Sequence, residues 1–159
     1  MSQPVIPLPC LALTGIILPP GTYQIAIRPA NLTVPCGDAP VLGPIALTFE
    51  NKKSYAVVAY LDANGNPTAG VFELNTSMIR RGFSRVIAFH TAYAPTVDVR
   101  LGRRLIQQPQ RSIVVPNFSN GMMVSADIAS GRTQLGLYLP GTFTAVYGPL
   151  DVLFLRQSI

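Results

Sequence analysis

Two stretches of this chain, about 110 residues apart, echo each other, and neither copy is whole. Gly21-Thr-Tyr-Gln-Ile-Ala-Ile-Arg-Pro resembles Gly131-Arg-Thr-Gln-Leu-Gly-Leu-Tyr-Leu-Pro, and Gly43-Pro-Ile-Ala-Leu-Thr-Phe resembles Gly148-Pro-Leu-Asp-Val-Leu-Phe. In the first copy the apolar run Ser54-Tyr-Ala-Val-Val-Ala-Tyr follows. In the second, the sequence reaches Ile159 where such a run would begin. Conversely, Phe83 to Leu101 precedes the second copy and nothing similar precedes the first. The expectation is the back part of one β unit in residues 1–79 and the front part of another in residues 80–159, with one continuous sandwich as the alternative. Asn75 to Gly82 is the boundary segment. Half a unit leaves apolar surface and unpaired strand edges that something must cover.

Alternating β patterns run through both halves. Tyr23-Gln-Ile-Ala-Ile and Ile45-Ala-Leu-Thr-Phe have period two, whereas Tyr55-Ala-Val-Val-Ala-Tyr is continuously apolar and suits a more buried strand. Asn64-Gly65 is the strongest hairpin signal and leads into Gly70-Val-Phe-Glu-Leu. Later strands are predicted at Arg85–His90, Thr96–Leu101, Ser112–Val115, Met122–Ala126, Gln134–Leu139, Phe143–Tyr147 and Val152–Leu155, about eleven in all. Fifteen prolines and thirteen glycines leave no long window of helical period, apart from one possible capped turn at Asn75 to Arg80. The pattern predicts an all-β chain: an antiparallel β-sandwich of immunoglobulin-like or Greek-key type.

Charged residues make up 12% of the chain, about half the roughly 25% of an average soluble domain. A surface this neutral fits either an ordinary soluble β domain faced with Thr, Ser, Gln and Asn or a surface partly buried against a partner. The charge is also lopsided: residues 1–79 carry a net −1 and residues 80–159 a net +6, the latter from nine arginines and no lysine. Guanidinium suits bidentate contact with carboxylate or phosphate. Without interleaved aromatics or a binding motif, sequence-specific nucleic-acid recognition is not expected. Residues 1–27 carry no side-chain charge, but Pro4, Pro7, Pro9, Pro19 and Pro20 interrupt them, so no spanning helix is predicted. Cys10 and Cys36 are the only cysteines. They are expected to form a disulfide tying the N-terminal segment to the loop at Pro35, worth roughly 3 kcal/mol by chain entropy.

Arg85-Val-Ile-Ala-Phe-His-Thr-Ala-Tyr-Ala-Pro-Thr-Val-Asp-Val-Arg-Leu-Gly resembles the opening of the DUF4397 family, with His90, Ala94, Pro95, Val97, Asp98 and Val99 on its motif positions. Tyr93 departs from the family's Ser-Pro-Asp type of turn, and the loop is one residue shorter. Leu18-Pro-Pro-Gly-Thr-Tyr, Arg28-Pro29 and Lys53-Ser-Tyr-Ala-Val-Val-Ala resemble the later part of the same family. The resemblance spans most of residues 13–156, in the order back part, then front part. It implies an exported bacterial or archaeal β-sandwich, often repeated in surface proteins, and no catalytic residue.

No catalytic, cofactor or metal constellation is recognisable. His90 and Asp98 are read as structural, holding a turn between two strands together with Pro95. Ser84, His90 and Asp98 have no nucleophile arrangement, and Glu50 and Glu73 are expected to be solvated. Asn31, Asn75 and Asn117 open formal glycosylation sequons, which arise often by chance. Arg80, Arg81, Arg85, Arg100, Arg103, Arg104 and Arg111 are candidates for a docking surface. The expectation is a non-enzymatic structural or adhesive protein of the cell exterior, assembling with itself into a filament, surface layer or matrix through β-strand edges. The neutral segment Val5–Ile17 is a candidate donated strand. The alternative is an extrinsic subunit of a larger protein or membrane complex, docking through its Arg-rich half, with peripheral membrane association within its scope.

Overall fold

The computed structural model describes residues 15–29, 38–102 and 113–155. They form ten strands and no helix: β1 (Gly21–Ile27), β2 (Leu42–Phe49), β3 (Ser54–Leu61), β4 (Pro67–Leu74), β5 (Phe83–His90), β6 (Val97–Gly102), β7 (Ile113–Phe118), β8 (Met122–Ala129), β9 (Gly131–Tyr138) and β10 (Ala145–Phe154). Every ladder whose register is described is antiparallel. The chain divides into two compact units. Unit 1 comprises Met1–Ala59 and Pro67–Leu74, and unit 2 comprises Tyr60–Asn66 and Asn75–Ile159. The boundary at Leu74/Asn75 lies at the start of the segment Asn75 to Gly82, and the tip of the β3–β4 hairpin belongs to unit 2.

Three expectations need correction. The run Tyr55–Tyr60 is not a more buried strand: in β3, paired with β4, exposed and half-buried residues alternate and Val57 is exposed. The runs Phe143–Tyr147 and Val152–Leu155 are one strand, β10, because pairing with β9 continues on both sides of Gly148-Pro149. The segment Asn75 to Arg80 forms no helical turn. Asn75 Oδ1 accepts a hydrogen bond from Ser77 N at 2.9 Å, a local turn that competes with helix. The Asn64-Gly65 hairpin is present. Asp62 Oδ1 accepts from Asn64 N at 2.8 Å and Asn66 N at 2.9 Å, while Gly65 supplies a φ of 82°. Those N–H groups hold the Asp62 carboxyl below the usual carboxylate range.

Unit 2 is a β-sandwich. One sheet has the order β10-β9-β6-β7, and the other is the pair β5-β8. Val97, Val99 and Phe118 form its buried centre, with Ala88 and Val124 from the pair and Val115, Leu135 and Leu137 from the larger sheet packed against them. Valines two apart on β6 point the same way, which puts Asp98 and Arg100 on the opposite face.

Unit 1 contains the pair β1-β2 and the stems of β3 and β4. Its apolar residues alternate with exposed ones, and none is fully buried among the described residues. Tyr23, Phe49 and Tyr55 form a run of rings with centroids 5.9 and 5.2 Å apart.

The sequence echo is a structural repeat. In β1-β2, Gly21 pairs Phe49, Ile25 pairs Ile45 and Ile27 pairs Leu42. In β9-β10, Gly131 pairs Phe154, Leu135 pairs Leu150 and Leu137 pairs Tyr147. Each second strand therefore carries one extra residue at the same place, a bulge at Gly43-Pro44 or Gly148-Pro149. Both of these peptides are cis, and the two glycines have φ of 91° and 80°. A Cβ on Gly43 would lie 2.6 Å from the Ile25 carbonyl oxygen, and one on Gly148 would lie 2.7 Å from that of Leu135. Only glycine fits such an approach.

Candidate functional site

The arginines divide sharply. Arg80 and Arg81 are exposed, and the Arg80 guanidinium lies 4.0 Å from the Phe83 ring centroid. Arg85 is spent inside unit 2. Its Nε and Nη2 donate to the two Asp127 oxygens at 2.7 and 2.8 Å, and its Nη1 donates to the Asn75 and Ser77 carbonyls, both at 2.8 Å. This fork holds the Asp127 carboxyl below its usual range. Arg100 is 6% exposed. Its guanidinium lies 4.7 Å from the Tyr138 ring centroid and 4.6 Å from that of Phe143, and its Nη2 donates to the Thr142 carbonyl at 2.6 Å. Arg85 and Arg100 therefore offer little to a docking partner. Arg103, Arg104 and Arg111 lie outside the described residues, as do Cys10, Cys36 and most of the segment Val5–Ile17.

His90, Pro95 and Asp98 tie turns together. His90 Nε2 and the Pro95 carbonyl are 3.1 Å apart, so the ring nitrogen donates to it. The His90 carbonyl accepts from Gly121 N at 2.7 Å, and its ring meets Phe118 edge-on. Asp98 is 4% exposed and accepts from Asn117 N at 3.0 Å and Gly141 N at 2.9 Å. Those two N–H groups, Asn117 first, push its carboxyl below the ordinary range, and Arg100 at 3.8 Å adds to the effect. His90 and Asp98 thus bond to different backbone groups. Glu50 and Glu73, expected to be solvated, are exposed and share Lys53, at 2.9 and 3.0 Å, and the two carboxylates hold its ammonium above the usual range.

Sequence reasoning missed Asn120, whose Nδ2 donates to the Leu61 and Ala92 carbonyls at 2.9 and 2.7 Å and so braces the hairpin tip. It also missed the stack of Arg100 between Tyr138 and Phe143. Gly136 is the one local signal for that stack: a Cβ there would lie 2.7 Å from the Tyr138 ring.

The features left for function are sheet edges. β1 and β9 are copies, but β9 pairs on its far side with β6, whereas β1 pairs only with β2 among the described residues. β10 is the edge of the four-stranded sheet and is largely exposed, with Val146, Tyr147, Leu150 and Leu153 on it and Phe143 and Leu155 beside it. Among the described residues no three His, Cys, Asp or Glu side chains are grouped to hold a metal ion, and no helix is long and apolar enough to cross a membrane. Comparison with family models, with curated proteins and with solved structures finds no match.

Proposed function

We propose that this chain is a non-enzymatic structural or adhesive protein of the cell exterior that assembles with itself through β-strand edges. The observation that carries this reading is the contrast between the two copies of one hairpin. The copy in unit 2 is flanked by β6 and covers buried residues, and among the described residues the copy in unit 1 has neither. Isolated two-stranded pairs are marginal in water, so unit 1 gains from a further strand. Docking of the Arg-rich half to an acidic partner draws less support, because Arg85 and Arg100 are occupied internally. The exterior location rests on the DUF4397 resemblance.

Sedimentation velocity across a concentration series at low and high salt tests the proposal. Main-chain pairing keeps the larger species at 1 M salt, where exposed charges are screened over about 3 Å. A monomer at every concentration overturns it.

A further inference from the structure

We infer that the outer edge of β1 receives the outer edge of β10 from a second copy of this chain, antiparallel, so that copies add head to tail. The inference rests on the self-assembly reading and specifies its interface.

The repeat supplies the template. On β9, Asp98 stands opposite Tyr138, Arg100 opposite Gly136 and Gly102 opposite Gln134. The corresponding positions are Arg28, just after β1, and Ala26 and Gln24 on it. The Ile25 carbonyl approaches Gly43 and the Ile27 carbonyl accepts from Val41 N at 2.8 Å, so both face β2. Backbone groups alternate along a strand, which turns those of Gln24 and Ala26 to the outer edge. On β10, the Leu135 carbonyl facing Gly148 sets the same alternation. The pairs Leu135–Leu150 and Thr133–Val152 bond across the ladder, and Asp151 and Leu153 turn their backbone groups outward.

One register matches both faces of the two strands. It sets Arg28 opposite Asp151 of the second copy, Ala26 opposite Leu153 and Gln24 opposite Leu155. These six residues are all exposed, although Arg28 also donates to the Asp38 carbonyl, Asp151 Oδ1 accepts from Gln134 Nε2 at 3.2 Å and the Leu155 carbonyl accepts from Ser84 Oγ at 2.5 Å. The same register brings Ile27 against Val152 and Ile25 against Phe154, all four half-buried. Apolar faces then meet on one side of the new ladder, and an opposite-charge pair sits on the other, where β6 presents Asp98. A shift by one residue would set the apolar face of one strand against the exposed face of the other. The second copy, rather than an unrelated strand, also fits the charge. A β1–β10 contact joins the half of net −1 to the half of net +6, whereas β10 against β10 would join two halves of net +6. A head-to-tail contact of this type builds a ring where its rotation closes and a filament where it does not.

Proline removes an outward N–H without touching the inner ladder. Ala26→Pro and Leu153→Pro, each checked for its fold by circular dichroism, should each lose all species larger than a monomer in sedimentation velocity. Mixed one to one, they should give a dimer and nothing longer, because each retains one working edge. Gln24→Pro and Asp151→Pro serve the same purpose if either first variant fails to fold. Wild-type oligomers with variants that assemble unchanged overturn the edge assignment and leave self-assembly standing. Dimers of Ala26→Pro alone overturn the head-to-tail pairing. A monomeric wild type overturns both the inference and the reading beneath it.

Discussion

The hairpins β1–β2 and β9–β10 share a register, a bulge and a glycine pressed on a carbonyl, yet their surroundings differ. In β9, Gly136 and Tyr138 are buried, whereas the matching Ala26 in β1 and Arg28 just after it are exposed. Ladder geometry is therefore written locally, in the Gly-Pro dipeptide and the alternation around it. Burial comes from neighbours: β6 on one flank and the ring stack of Tyr138, Arg100 and Phe143 above. Among the described residues unit 1 has the hairpin without those neighbours, which is why its outer edge is the place to look for a partner.

The largest expected effect probes where the core lies. Phe118→Ala should destabilise unit 2 by about 3–5 kcal/mol in chemical denaturation. Phe49→Ala, in half-buried unit 1, should cost only about 1–2 kcal/mol. Equal losses would break the contrast between the units. Next come the bulges. Gly43→Ala and Gly148→Ala each place a Cβ against a carbonyl at positive φ, and each should cost about 2–3 kcal/mol. A large loss at one and none at the other would end the structural equivalence of the repeats.

Asp98→Ala takes the buried acceptor away from the Asn117 and Gly141 N–H groups and should cost about 1–2 kcal/mol. Because the folded carboxyl is held below its unfolded value of about 3.9, its contribution is present above that pH and is lost as pH falls through the lower folded value. A urea series from pH 6 to pH 2 should show a stability loss in the wild type that is smaller in Asp98→Ala. Glu73→Gln is the smallest case. It leaves Lys53 with Glu50 on the exposed surface of unit 1, and the melting temperature should not move measurably.

Much of this was legible in the sequence. The repeat, the strand alternation and the Asp62-Ala-Asn-Gly turn carry local signals. What was illegible depends on long-range contacts. Gly148-Pro149 reads as a break between two strands, and only the partner strand β9 turns it into a bulge inside one. Arg100 reads as a surface cation, and only Phe143, Thr142 and Tyr138, about forty residues away in sequence, make it a buried one. Asn75 reads as a helix cap, but its side chain closes a turn instead.

Amide hydrogen exchange as a function of protein concentration tests the central claim most directly. The outward N–H groups of Gln24, Ala26, Asp151 and Leu153 should exchange rapidly in dilute monomer and become protected together as larger species form, while inward Ile25 and Val152 are protected throughout. Larger species in which those four amides still exchange at the monomer rate would contradict the account.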